Sequence, residues 1–118
     1  MTWSICGSRW VRTAMCLAAF TFVSVDAVAV ELTARENAVF GQICARCHAR
    51  PDIGVPLIGD AAEWQRRGAA GFEQMVRNTI VGAGDMPPLG TCAFCTETEI
   101  RNLVQLLSGL SPEEAVTP

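Results

Sequence analysis

Lysine is missing from this chain: all nine basic residues are arginine, set against twelve carboxylates for a formal charge of −3. Phosphate binding needs clustered cationic side chains. The balance therefore argues against a nucleic-acid partner, and any electrostatic steering favours a basic one. Histidine is nearly missing too, with one residue in 118. No segment alternates apolar and polar residues in the manner of a strand. No internal repeat or low-complexity tract is present, and nothing marks a second folded domain. Nor is there an uncharged apolar run of the roughly 20 residues that a bilayer-spanning helix needs.

What is present begins with a leader-like pattern. Arg9 and Arg12 form a positive start, Thr13 to Val25 is an uncharged apolar stretch, and Ala27-Val28-Ala29 is a small-x-small cleavage site. Residues 1–29 are expected to be an export signal cleaved after about Ala29. A retained anchor is disfavoured, because the stretch is short and Asp26 sits at its end. Residues 30–118 then make one domain of 89 residues, with an ordered core over about 33–110 and a frayed tail from Ser111. In that domain seven arginines face eleven carboxylates, a formal charge of −4. Cys6 and Cys16 leave with the leader, so Cys44, Cys47, Cys92 and Cys95 remain. Export places them in an oxidising compartment, the periplasm.

The rest reads as helices. Thr33-Ala34-Arg35-Glu36 fits a capping box, opening a helix to about Cys44 with Val39, Phe40 and Ile43 on one face. Pro51, Gly54, Pro56 and Gly59 punctuate a loop from Arg50 to Asp60. Asp60 and Glu63 suit the start of a short helix through Arg67. After Gly68 and Gly71, the residues Phe72, Met75, Val76, Thr79 and Ile80 recur at helical spacing. Gly82, Gly84, Pro87, Pro88 and Gly90 make a constrained loop. A second capping box, Thr96 to Glu99, opens a helix with Ile100, Leu103, Val104 and Leu107 inward, ended by Ser108-Gly109. The expected class is all-α, with four or five short helices.

Cys44-Ala45-Arg46-Cys47-His48 contains the one histidine. C-x-x-C-H is the attachment spacing of a c-type haem. The two thiols add across the porphyrin vinyl groups, and the adjacent imidazole is placed to bind iron. Four cysteines in two C-x-x-C pairs also suggest a zinc-binding module. Zinc modules hold their pairs about 15–20 residues apart, whereas 44 residues separate Cys47 from Cys92 here. Export also disfavours four free thiolates. One covalently attached haem c is the better reading.

With His48 on one face of the iron, the other face is open or takes a second ligand. Of the two methionines beyond the leader, Met75 lies in a helical apolar stripe, where a flexible core filler is expected. Met86 lies in Gly84-Asp85-Met86-Pro87-Pro88, where adjacent prolines restrict the backbone and hold a thioether at little ordering cost. His/Met ligation raises the reduction potential. Burial acts in the same direction, because only the ferric core carries net charge. Two strong ligands also leave no position for oxygen or peroxide. This points to an electron carrier and away from a peroxidase-like enzyme. Cys92-Ala93-Phe94-Cys95 is open to three readings: a disulfide, a thioredoxin-like redox pair or free thiols. A redox pair belongs beside a βαβ pattern, which is absent, so a structural disulfide beside the last helix is favoured.

These motifs resemble the small class I c-type cytochromes, close to bacterial cytochrome c5. The likeness is carried by Cys44 to His48, Gly54-Val55-Pro56, Gly59-Asp60 and Trp64. It continues through Met86-Pro87-Pro88-Leu89-Gly90-Thr91-Cys92-Ala93-Phe94-Cys95, and overall it extends from about Thr33 to Gly109. It implies the class I cytochrome c fold wrapped around one haem, thioethers at Cys44 and Cys47, and axial ligands His48 and Met86. It also implies a Cys92–Cys95 disulfide. Pro56 matches the proline whose carbonyl accepts a hydrogen bond from the ligand histidine. Trp64 matches a tryptophan near a haem propionate, and Arg66 or Arg67 is a candidate to pair with one. The partners implied are a redox donor and acceptor, such as a membrane oxidase, a reductase or a periplasmic dehydrogenase. No stable membrane insertion is expected after cleavage. A dedicated electron-accepting subunit of a periplasmic dehydrogenase is the alternative role. Two departures stand out. Glu36 occupies a position where the family often has glycine, at the crossing of first and last helices, so either the crossing shifts or the helix starts later. Leu106 stands where the last helix usually offers an aromatic, while Phe40 matches its partner.

Overall fold

The structure, a computed structural model, describes residues 30–112. The expected leader over 1–29 and the tail beyond 112 lie outside the described residues. Helix α1 spans Ala34–Val39 and starts as its sequence dictates. The Thr33 hydroxyl accepts the Glu36 N–H at 3.1 Å, and a Glu36 carboxylate oxygen accepts the Thr33 N–H at 2.8 Å. The helix does not end near Cys44. It passes through a π-helical turn, Phe40–Cys44, into α2, Ala45–His48, with the Ala45 N–H reaching the Phe40 carbonyl.

A 3-10 turn at Pro51–Ile53 leads to α3, Ala61–Gly68, where an Asp60 carboxylate oxygen accepts the Glu63 N–H at 3.1 Å. Helix α4 is Phe72–Val81. A second 3-10 turn, Pro88–Thr91, precedes α5, Glu97–Ser108, which opens on the Thr96–Glu99 capping box and closes on left-handed Gly109. The described residues form no strand beyond a single bridge between Ala83 and Met86. None of their helices is long and apolar enough to cross a membrane.

The core follows the helical periodicity. Trp64 from α3, Phe72, Met75 and Val76 from α4, and Ile100, Val104 and Leu107 from α5 form one buried cluster. Each such side chain contributes about 1.5–3 kcal/mol of transfer free energy on burial. A smaller cluster of Val39, Leu103 and Cys92 ties α1 to α5 and to the loop before it. The sulfurs of Cys92 and Cys95 lie 1.98 Å apart, with their Cα atoms 5.4 Å apart, in disulfide geometry.

At the α1–α5 crossing the helix does not start late. Glu36 sits in its first turn, 4% exposed, and accepts the Asn102 side-chain N–H at 2.7 Å. A carboxylate and an amide thus meet where the resemblance led one to expect glycine. Hydrogen bonds from Asn102 and Thr33 hold the Glu36 carboxyl below its ordinary range. Leu106 is half-exposed and lines a shallow groove with Ile58, Ala61 and Gln65. The crossing itself is closed by Asn102 and Leu103.

Candidate haem site

His48 ends α2 and is buried, 7% exposed. It follows Phe40 and Cys44 at spacings of eight and four residues, which keep one helix face, and the π turn between them inserts one extra residue. Cys44 is half-buried and Cys47 exposed, both as free thiols. Burial pushes the Cys44 thiol above its ordinary value.

His48 Nδ1 lies 2.7 Å from the Pro56 carbonyl oxygen. A carbonyl only accepts, so Nδ1 carries a proton, and in the neutral imidazole Nε2 is then the nitrogen with the lone pair. No hydrogen bond engages Nε2 among the described residues. Since no buried side-chain N or O atom there lacks a partner, Nε2 is not sealed inside the protein. A buried imidazole with one nitrogen committed and the other accessible suits an iron ligand. The Ile58 N–H also donates to the His48 main-chain carbonyl at 2.9 Å.

Trp64 is packed beside this turn, its ring centroid 5.8 Å from that of His48. Its indole N–H donates to the Leu57 carbonyl at 2.7 Å. The guanidiniums of Arg66 and Arg67 both rest on Glu63, at 2.6 and 2.7 Å. Together they hold the Glu63 carboxyl down to about 2.

Met86 is half-buried in a loop held mainly by its own backbone. The Ala83 N–H donates to the Met86 carbonyl at 3.1 Å, and the Met86 N–H to the Ala83 carbonyl at 3.0 Å. Gly82 backs this turn so closely that a Cβ there would stand 2.9 Å from the Met86 carbonyl oxygen. A Cβ on Gly90 would meet the Met86 methyl at 3.3 Å. Leu89 and Thr91 take positive φ, 56° and 78°, which costs a β-branched residue such as Thr91 about 1–3 kcal/mol. Neighbouring backbone bonds hold that strain, including Gly90 N–H to the Pro87 carbonyl and Cys92 N–H to the Leu89 carbonyl, both at 3.0 Å. Sequence reasoning singled out Met86 but not the close approach of Gly82, the π turn or the Leu57 carbonyl. Only Gly82 left a signal, as one of several loop glycines.

The donor set fits a covalent haem: paired thiols, an adjacent histidine with Nε2 accessible, and a thioether on a stiff loop. Among the described residues no group of three or more His, Cys, Asp or Glu side chains gathers to hold a metal ion. Helices arranged in this way around such a motif define a c-type cytochrome domain.

Comparison with known proteins agrees. The family model described as cytochrome C oxidase, cbb3-type, subunit III matches residues 31–107. Cytochrome c5 of Ectopseudomonas mendocina is 38% identical over 74 residues, covering 61% of this chain and 85% of that protein. Cytochrome c-555 of Chlorobaculum tepidum is 35% identical over 108 residues, covering 88% of this chain and 98% of that one. The fold also matches the cytochrome c of a crystal structure described as an electron transfer complex of nitrite reductase with cytochrome c. That match has a TM-score of 0.59 and 26% identity, covering 67% of this chain and 96% of the other. The chain belongs to the c-type cytochrome family, as a small member close to cytochrome c5. It is an all-α electron-carrier cytochrome with covalently attached haem c as its cofactor.

Proposed function

We propose that this protein shuttles single electrons between redox proteins in the periplasm. Cys44 and Cys47 carry the thioether links, and His48 and Met86 are the axial iron ligands. The observation that carries the reading is the 2.7 Å contact between His48 Nδ1 and the Pro56 carbonyl, which leaves Nε2 as the ring's one available donor atom. Haem c supplies the one-electron couple when bound. The task of the chain is to hold its ligands still, because a carrier works with little rearrangement. The Pro56 bond fixes the His48 tautomer and raises its basicity. The reciprocal Ala83–Met86 bonds and Gly82 keep the Met86 thioether from wandering. Cys47 is exposed, which supports an attachment side near the surface, where electron transfer over short distances is possible.

The leader-like residues 1–29, the domain from 30 to 118 and a Cys92–Cys95 disulfide all belong with export. A redox donor and acceptor are the partners, drawn from membrane oxidases, reductases and periplasmic dehydrogenases. The nitrite reductase complex of the structural neighbour supports that class. The formal charge of −4 on residues 30–118 favours a basic docking face on the partner.

The test is an optical and redox titration of the purified exported protein. The ferric form should show the weak far-red methionine–iron band. Met86→Ala should abolish it and lower the potential by on the order of 0.1 V, within the range axial ligands control. An unchanged band would mean that another group binds the iron.

A further inference from the structure

We propose that Trp64 is a positioning residue for His48: through the Leu57 carbonyl it fixes the turn that holds the imidazole, and so tunes the reduction potential. This rests on the reading of His48 as an iron ligand.

Two adjacent peptide groups grip His48. The Pro56–Leu57 peptide gives its carbonyl to Nδ1 at 2.7 Å. The Leu57–Ile58 peptide gives its N–H to the His48 main-chain carbonyl at 2.9 Å. A trans peptide is planar, so its carbonyl points away from its N–H. On that far edge the Leu57 carbonyl accepts the Trp64 indole N–H at 2.7 Å. The Asp60 N–H reaches the same oxygen at a longer 3.2 Å. The second peptide is therefore pulled from both edges, by His48 and by α3, and cannot rotate without breaking a bond. Pro56 has its φ locked by the ring. The freedom left to its carbonyl lies in the torsions that tilt one peptide against the next, and these are what Trp64 restrains.

Trp64 is itself firmly placed. It is 7% exposed in the main core cluster, and its main-chain N–H donates to the Asp60 carbonyl at 3.0 Å. The indole ring lies beside the imidazole, its plane inclined by 38°. For core filling alone a phenylalanine would nearly suffice. The polar edge of the indole is directed to the loop, and that edge is what distinguishes tryptophan here.

The consequence for iron follows from ligand basicity. A short Nδ1–H···O bond makes the imidazole electron-rich and favours the ferric state. Loosening the turn weakens that bond and favours the ferrous state.

The experiment is Trp64→Phe in the haem-loaded protein, which keeps a ring and removes the donor. The ferrous-to-ferric ratio at fixed ambient potential should rise on the order of threefold, part of the effect of one hydrogen bond. Solvent exchange of the His48 Nδ1 proton should accelerate by at least the same factor, with the far-red band retained. A purely structural role would lower stability and leave potential and exchange unmoved; that result overturns the proposal. If the variant fails to fold, proton exchange in the unaltered protein decides. Matched protection of the Trp64 indole and His48 Nδ1 protons supports the coupling, and a freely exchanging indole beside a protected His48 overturns it. Paramagnetically shifted His48 ring resonances in the ferric protein separate the two readings. Without them the ligand assignment fails and this inference with it. With them, an unresponsive Trp64→Phe defeats only the role of Trp64.

Discussion

Replacing Gly82 with alanine should release Met86 while leaving the helices in place. Gly82 has φ 87° and ψ 153°, a region reserved in practice for glycine, where another residue costs about 1–3 kcal/mol. The new Cβ would also stand 2.9 Å from the Met86 carbonyl oxygen and 3.1 Å from the Pro88 nitrogen. Both are backbone atoms that no rotamer change can move. Relief requires the Met86 carbonyl to back away from the Ala83 N–H, forfeiting a bond of about 0.5–1.5 kcal/mol. The combined penalty is roughly 1.5–4.5 kcal/mol, and each 1.4 kcal/mol is tenfold in an equilibrium. Opening the loop relieves all of it, so the population with Met86 displaced should rise about tenfold or more. The assay is the far-red ferric band together with carbon monoxide binding to the ferrous protein. The band should fade and binding should quicken. Gly84→Ala is the control on the same turn: φ is 58°, but nothing lies within 4 Å of its Cβ, so it adds strain without a clash and should have a clearly smaller effect. An intact band and wild-type stability in Gly82→Ala would refute the claim that this backbone contact holds Met86.

Two further outcomes can be checked. Glu36→Ala removes the capping acceptor and strands the Asn102 amide, which should cost about 2–3 kcal/mol in denaturant unfolding. Because the folded-state value of Glu36 lies below its ordinary 4.5, its contribution is complete above that pH and is lost as pH falls through the folded value; Glu36→Gln should flatten this acid limb. Electron transfer to a basic partner should slow as salt rises, since the formal −4 of residues 30–118 acts through a screening length of about 10 Å at 0.1 M; a rate indifferent to salt would point to an apolar docking face.

The helices were readable because each carries a local signature. Thr33 with Glu36 and Thr96 with Glu99 mark starts, Gly109 marks an end, and the α4 and α5 stripes repeat at helical spacing. Cys44, Cys47 and His48 stand out in the sequence because haem attachment fixes both residue type and spacing. What escaped is backbone geometry. Nothing in Phe40-Gly41-Gln42-Ile43-Cys44 announces a π turn, since these residues carry no local signature that separates it from an α-helix. The Leu57 carbonyl was equally silent, because every residue has one and only the fold selects which is used.

The Glu36 crossing shows how far such silence extends. Glycine at a tight helix crossing lets two backbones approach; a glutamate there ought to force them apart or bury an unmet charge. Neither happens. One carboxylate oxygen takes the Thr33 N–H and hydroxyl at 2.8 and 2.7 Å, while the other takes the Asn102 amide at 2.7 Å. Arg35 binds Glu99 at 2.6 Å one turn before Asn102, adding a second polar tie between the same helices. The crossing is therefore specified by paired donors and acceptors together with the apolar contact of Val39 and Leu103. Asn102 gains its meaning only from Glu36, and neither residue reads as a contact until both are seen on facing helices. Leu106 takes no part in this crossing; it lies exposed on α5, lining a groove with Ile58.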